Sequence, residues 1–172
     1  MNIFFLSFNP KECAEYHCDK HVVKMILETA QLLYTCLWTT FDNDEFIKDA
    51  PLTKSGQKGY KKSHVNHPCS RWLRDSNKNY IWLCKFGLEL CREYSYRYGR
   101  IHDSQKHIEW LSKNNPNIKD NGFTNPLLAM PDKYKCDDVI KSYQTYYIKD
   151  KKRFAKWTKR EIPKWFIESD DL

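Results

Sequence analysis

Glycine and proline are scarce in this chain, which has five glycines and seven prolines among 172 residues. That scarcity argues against a collagen-like or low-complexity protein. No apolar run approaches the roughly 20 residues that a membrane-spanning helix needs, so we expect no membrane partner. The segment from Met1 to Pro10 lacks a basic start and a long apolar centre, so it is not typical of a signal peptide. We therefore expect an intracellular protein of the cytoplasm or nucleoid of its host cell, not a secreted one.

The sequence also lacks a disulfide framework and a regular metal motif. The seven cysteines form no CxxC pair, and without a signal peptide we expect them to be reduced thiols. Cys18 and Cys69 each lie beside a histidine, which leaves a Cys–His nucleophile as one alternative. A zinc bound by His17 and His21 with a ligand from residues 64–69 is another, although the zincin pattern HExxH is absent. We expect neither a metal nor another cofactor.

Helical periodicity is what the sequence does contain. Asn9 and Pro10 begin a helix with a capping residue and a proline in the first turn, and apolar residues then recur at helical spacing to about residue 38. The same spacing predicts a second long helix over 76–98, a third over 138–157, and short ones after Pro68 and over 104–113. The apolar run IFFL near the start predicts a strand or an extended segment. We expect one compact, mainly α domain over 1–172, with three long helices, long connecting loops and a short N-terminal extended segment.

Positive charge exceeds negative charge by seven, and the excess lies in one region. Between Lys141 and Lys164, nine cations face only Asp150 and Glu161, which gives this window the net charge of the whole chain. Because cations neutralise phosphates and rings stack on unpaired bases, the basic, aromatic-rich region 141–165 predicts nucleic-acid binding. A solvated helix whose rings face the core would show the same composition. The contacts that we expect in this region are Lys149, Lys151, Lys152, Arg153, Lys156, Lys159 and Arg160.

A polar stripe marks the first predicted helix. Plotted at 100° per residue, five side chains fall within about 80° of one another between apolar flanks, and these are His17, His21, Lys24, Glu28 and Gln31. Histidine, lysine and glutamate can carry out general acid–base chemistry because partial burial shifts their pKa values. The stripe therefore predicts a catalytic cleft, although a solvated face with a Lys24–Glu28 pair would have the same spacing.

A second polar cluster lies around Pro68 and consists of His64, Asn66, His67 and Arg71. These side chains can contact phosphate groups. Asparagine and histidine before a proline can also simply organise a turn. Both interpretations stay open from the sequence.

The most specific motifs occur at this cluster. Gly59-Tyr60 is followed by Asn66-His67-Pro68 in the stretch KGYKKSHVNHPCSRW, and the next long helix ends in EYSYRYG. Together with the helix entry NPKECAEYH and the basic tail YYIKDKKRFAKW, these segments resemble the pyrimidine-dimer DNA glycosylase family of the endonuclease V type. The resemblance extends over nearly the whole chain.

This resemblance implies a single α domain with DNA glycosylase and abasic lyase activities and no need for a metal. In the family, the N-terminal α-amine attacks C1′ of the damaged nucleotide to form a Schiff base, a glutamate of the first helix assists, and elimination then nicks the strand. Counted from Pro10, the family's glutamate falls near Lys24, and Glu28 is the nearest carboxylate on that face. Asn2 is bulky for methionine removal, so the free amine belongs to Met1 or to Asn2.

We therefore predict a monomeric DNA-repair glycosylase and abasic lyase that acts on damaged pyrimidines and holds kinked DNA with an extruded nucleotide. The predicted catalytic residues are Met1, Asn2, His21, Lys24 and Glu28. The predicted DNA contacts outside the basic tail are His17, His64, Asn66, His67 and Arg71, and His17 also matches a histidine of the family's first helix. One alternative is an enzyme of the same fold that processes a nucleotide or modified base without lyase activity. Another is a non-catalytic nucleic-acid-binding protein.

Overall fold

The computed structural model describes residues 2–167 and is mainly helical. Within that range no β-strand forms, and a single antiparallel bridge joins Leu52 to Lys58. The described α-helices are α1 (Pro10–Tyr16), α2 (Asp19–Thr40), α3 (Pro68–Asp75), α4 (Asn77–Tyr98), α5 (Gln105–Lys113), α6 (Val139–Lys151) and α7 (Lys164–Ile167). Short 3-10 turns cover Glu45–Ile47, Asp132–Tyr134 and Lys152–Phe154.

The first predicted helix is in fact two helices. Asn9 caps α1 with its side chain, as predicted, but the chain turns extended at His17 and Cys18. The backbone N–H of Cys18 donates to the Tyr147 hydroxyl at 2.9 Å, and that of Asp19 donates to the Lys156 carbonyl at 2.8 Å. Partners far along the chain therefore replace the helical bonds at this point, and the continuous helix predicted over 10–38 is wrong.

The other helix predictions fare differently. The helices predicted over 76–98 and 104–113 are confirmed as α4 and α5, and the short helix after Pro68 is confirmed as α3. Gly99 ends α4 in the left-handed conformation. The third long helix is shorter than predicted, because α6 ends at Lys151 and a 3-10 turn follows. Three long helices are therefore an incomplete description, because residues 2–167 form seven α-helices of very different lengths.

The core forms where α2 packs against α4, with α1, α3 and α5 packed around this pair. The helices approach so closely at Gly87 that a Cβ there would lie 2.8 Å from a methyl carbon of Thr29. The extended segment Ile3–Leu6 is buried in this core although it pairs with no strand. Side chains bond its carbonyl groups instead, since Cys13 donates to Phe4 and Gln144 donates to Leu6.

A buried ionic network fastens the C-terminal segment to the break between α1 and α2. The fully buried guanidinium of Arg97 bonds to Glu93 at 2.7 Å and to Asp19 at 2.9 Å. Arg160 adds two bonds of 2.9 Å to Glu93. Although burial favours the neutral acid, the hydrogen bonds from Arg160 and Arg97 hold the pKa of Glu93 below its ordinary value. The network therefore keeps its charges and fixes the position of the start of α2.

No helix of the described residues is long and apolar enough to cross a membrane.

We predict that acid weakens the fold through the two buried histidines at this break. Burial lowers the pKa of His17 to about 4 and that of His21 to about 3, so between pH 6.5 and 4 the unfolded chain binds protons that the folded chain does not. The free energy of unfolding should therefore fall as the pH drops, by about 1.4 kcal/mol per pH unit for each histidine. Urea unfolding of the wild type and of His17→Asn at several pH values checks this.

The His17→Asn protein should show a shallower pH dependence over this range, because one of the buried histidines that bind a proton on unfolding has been removed. His64→Gln is the control, since His64 is exposed. Equal pH slopes for His17→Asn and the wild type would contradict the prediction.

Candidate active site

The start of the chain meets the middle of α2 at Glu28. The backbone nitrogen of Asn2 donates to Glu28 Oε2 at 2.9 Å, and Lys24 Nζ lies 3.2 Å from Glu28 Oε1. Because Ile3–Leu6 are buried in the core, Asn2, which precedes them, lies next to Glu28 on α2. The side chain of Glu28 is 10% exposed and that of Lys24 is 66% exposed, so the carboxylate forms the floor of the site and the ammonium group stands at its rim. Met1, a predicted catalytic residue, lies outside the described residues.

The predicted polar stripe is only partly retained: Lys24 and Glu28 are paired on α2, and Gln31, about one turn further along, is half-buried. His17 falls at the break after α1, where it is fully buried and its Nδ1 lies 2.6 Å from the Cys13 carbonyl. It therefore offers no surface to DNA in this structure, contrary to its predicted role as a DNA contact. The prediction assumed a continuous helix, and the break rotates His17 out of register with Glu28.

His21 keeps its place on α2 but faces inward. Its ring stacks on Phe4 with centroids 4.6 Å apart, and its Nδ1 lies 2.8 Å from the Tyr147 hydroxyl. That hydroxyl accepts the Cys18 N–H and can donate its own proton to Nδ1. Burial, with the nearby His17 and Lys151, keeps the pKa of His21 low, so it is a neutral group beneath the site rather than a charged one on its surface.

The second predicted cluster lies beside the start of the chain. His67 caps α3 by accepting the Cys69 N–H on Nδ1 at 3.2 Å, and the Cys69 thiol lies 3.3 Å from Asn2 Oδ1. Burial lowers the pKa of His67, while the carboxylate of Glu28 raises it, so the two clusters share one electrostatic environment. His64 is exposed with φ at 52°, a conformation uncommon outside glycine.

The remaining members of that cluster reach solvent. Asn66 precedes α3 and Arg71 lies on its outer face, and both are exposed. Exposure suits the phosphate contact predicted for them.

The predicted cations of the basic tail divide into two groups. Four have exposed side chains that suit contact with a phosphate backbone, and these are Lys149, Lys152, Arg153 and Lys156. Lys159 is exposed as well, but its Nζ donates to the Tyr96 carbonyl at 3.0 Å. Lys151 is half-buried, with its ammonium group over the rings of Tyr146 and Phe4. Arg160 forms an ion pair with Glu93, and its guanidinium also lies 3.3 Å from a carboxylate oxygen of Glu15. These contacts indicate a structural role for Arg160 in place of the predicted DNA contact.

A cavity of about 480 Å³ opens beside Leu27, the neighbour of Glu28 on α2. The Tyr60 hydroxyl bonds to Ser104 within its lining, and Lys54 and Lys106 contribute cations. Sequence reasoning did not identify this cavity. The motif Gly59-Tyr60 was the one signal for it in the sequence. Gly59 has a φ of 61° and packs against Tyr34, and the following residue, Tyr60, lines the cavity.

Within residues 2–167, no group of three or more histidine, cysteine or acidic side chains is arranged to hold a metal ion. The zinc alternative therefore has no set of ligands in the described part of the chain. Cys69 and Cys18 are both buried. Burial raises the pKa of the Cys69 thiol to about 12, so it stays protonated near neutral pH and is a poor nucleophile.

Comparison with known proteins identifies one family. A family model described as pyrimidine dimer DNA glycosylase matches residues 1–107, which is more than half of the chain. No curated protein and no solved structure matches.

We predict that the cysteine beside Asn2 resists alkylation in the folded protein. Cys136 is exposed and should react with iodoacetamide at pH 8, whereas buried Cys69 with its raised pKa should not. Peptide mass spectrometry after native labelling reports both sites, and labelling in urea gives the fully reactive reference. If Cys69 is labelled as fast as Cys136, the Cys69 thiol is accessible to the reagent and the prediction is wrong.

Proposed function

The chain belongs to the pyrimidine dimer DNA glycosylase family, and from this premise we propose that it is a DNA glycosylase with abasic lyase activity that works through an amine at the start of the chain. Membership makes it a DNA-repair enzyme with DNA as its substrate. The lyase activity and the Schiff base are the parts that we propose. The observation that carries them is the 2.9 Å contact between the backbone nitrogen of Asn2 and Glu28 Oε2.

The chemistry proposed for this pair has three steps. The amine attacks C1′ of the damaged nucleotide, the N-glycosidic bond breaks, and the base leaves with the bonding electrons and takes up a proton. Opening of the sugar ring gives an imine between C1′ and the amine nitrogen. Loss of a proton from C2′ then expels the 3′ phosphate and nicks the strand. Glu28 is the group in reach that accepts the amine proton and opposes the positive charge of the iminium.

We assign the nucleophile to the Asn2 nitrogen in a chain from which Met1 has been removed. An α-amine has an unperturbed pKa of about 7.7–8.0, so part of it is unprotonated near neutral pH. The contact of this nitrogen with Glu28 supports the assignment. The amine of Met1 is the alternative in a chain that keeps its first residue.

Lys24 and His21 take different places in this proposal. Lys24 holds Glu28 Oε1 from the rim, and its exposed ammonium group suits a phosphate next to the scissile sugar. His21 is neutral and buried, and it supports the site from below through Phe4 and Tyr147.

The DNA surface proposed around this site has two parts. In this proposal the exposed cations of the basic tail contact one part of the DNA backbone, and His64, Asn66, His67 and Arg71 contact another. The cavity lined by Leu27, the residue before Glu28 on α2, is large enough for a nucleobase, and we propose that it receives the extruded nucleotide.

The contact of Asn2 also favours a second candidate function. If Met1 is retained, the Asn2 nitrogen belongs to a peptide bond and cannot form an imine. Glu28 could then activate a water molecule, and the enzyme would release a base without nicking the strand. A chain that releases a damaged base and leaves the strand intact would support this candidate over the lyase.

We predict that Glu28→Gln lowers strand cleavage at an abasic site by about 100-fold or more, because general acid–base groups contribute about 10² to 10⁴ in rate. Gel analysis of a duplex with one abasic site measures the rate, and a binding assay with the same duplex should show little change. Glu161→Gln is the matched control, since Glu161 is exposed in the C-terminal segment. Cleavage by Glu28→Gln within threefold of the wild type would contradict this role.

We predict that Lys156 of the basic tail contributes to DNA binding and that Arg160 contributes to stability. Lys156→Ala should reduce the slope of log Kd against log salt by about 1, as loss of one phosphate contact does. Arg160→Gln should leave the slope nearly unchanged and lower the melting temperature, because it leaves the buried Glu93 with one guanidinium partner fewer. A larger change of slope for Arg160→Gln than for Lys156→Ala would contradict the division of these cations.

A further inference from the structure

Both polar atoms of the Asn2 side chain are hydrogen-bonded although the residue is only half-buried. Its Nδ2 donates to the Ala129 carbonyl at 2.9 Å. Its Oδ1 accepts the Ile3 N–H at 2.8 Å and the Cys69 thiol at 3.3 Å. Together with the bond from its backbone nitrogen to Glu28, these contacts tie one residue to three separate parts of the fold.

The partners of Asn2 fix the orientation of its amide group. Oδ1 faces two donors, and the raised pKa of Cys69 keeps its thiol protonated as one of them. Nδ2 faces a carbonyl oxygen, which accepts only. A reversed amide would put two donors against its NH₂ group and an oxygen against an oxygen, so the bonds define one arrangement.

Each partner is itself held in place. The N–H of Ala129 donates to the hydroxyl of Tyr143, which is fully buried on α6 and donates in turn to Leu127. Cys69 lies in the first turn of α3, where its N–H is capped by His67. The carboxamide therefore spans the gap between rigid parts of α3 and the loop that α6 supports.

We propose that the carboxamide of Asn2 is a positioning group that holds the nitrogen of residue 2 on Glu28 in the geometry that attack on C1′ requires. This role rests on the proposed function, because only an amine nucleophile needs such alignment. Asn2 contributes no atom of its side chain to the reaction. It acts by restricting rotation of the first residue, which would otherwise swing freely at the chain end.

The structure also accounts for asparagine rather than aspartate at this position. A carboxylate would keep the acceptors for Ile3 and Cys69 but would place an oxygen against the Ala129 carbonyl. It would also add a negative charge next to the amine, which favours the protonated and unreactive form.

The test uses chains that begin at residue 2, released from a fusion by a protease that leaves no extra residue and verified by intact mass. Single-turnover cleavage of abasic DNA should slow about 10- to 100-fold in Asn2→Ala, with Kd within about threefold of the wild type. Asn2→Asp should be slow as well, and its rate–pH profile should move to higher pH than that of the wild type. Asn117→Ala is the control, because Asn117 is exposed.

Variants at Cys69 test the same geometry without touching residue 2. Cys69→Ala removes one donor and should slow cleavage several-fold, while Cys69→Ser restores a donor and should recover part of the rate. A purely structural effect would lower the melting temperature in both variants without this recovery.

Cyanate modification of the α-amine gives a readout that needs no DNA. The amine of the wild type is held on Glu28, so Asn2→Ala should react several-fold faster. Cleavage by Asn2→Ala within twofold of the wild type, together with an unchanged cyanate rate, would overturn the positioning role. A wild-type chain that does not cleave abasic DNA would overturn the proposed function instead, and the cyanate rates would then decide alone whether Asn2 holds this nitrogen.

Discussion

The burial of the extended segment Ile3–Leu6 is the constraint on which the rest of the site depends. Four apolar residues lie in the core without a strand partner, held by packing and by side-chain bonds to their backbone. Because this segment cannot move without exposing them, the residue before it is held close to α2, where the contacts of its side chain set its orientation. The nitrogen of Asn2 therefore meets Glu28 as a consequence of core packing. Preorganisation of this kind is what the proposed attack by an amine at this position requires.

The ionic network around Arg97 extends this constraint to the far end of the chain. Glu93 and Asp19 form ion pairs with the buried guanidinium of Arg97, and Glu93 also pairs with Arg160 of the C-terminal segment. The cations of region 141–165 therefore differ in role, although the sequence alone does not distinguish them. Arg160 holds the tail near the break between α1 and α2, and the exposed cations are the ones that we propose as DNA contacts.

Local sequence signals predicted part of this structure well. The start of α3 at Pro68 and the end of α4 at Gly99 follow from residues with strong backbone preferences. The break at His17 had no such signal, because its cause is the Tyr147 hydroxyl, 129 residues away from Cys18. Glu28 could be selected from the sequence as the carboxylate one turn after Lys24 on the same helix. The contacts of Asn2 with Cys69 and Ala129 could not be predicted, since they depend on how three distant segments pack.

The measurement that most directly tests amine catalysis is the location of a reduced covalent adduct. The protein is incubated with a duplex that carries one abasic site in the presence of sodium borohydride, digested, and mapped by mass spectrometry. We predict a single adduct on the first peptide of the processed chain, at the nitrogen of Asn2, with the peptide that contains Glu28 unmodified. An adduct on a lysine side chain such as Lys24, or no adduct from a chain that still cleaves the site, would contradict an amine nucleophile at the start of the chain.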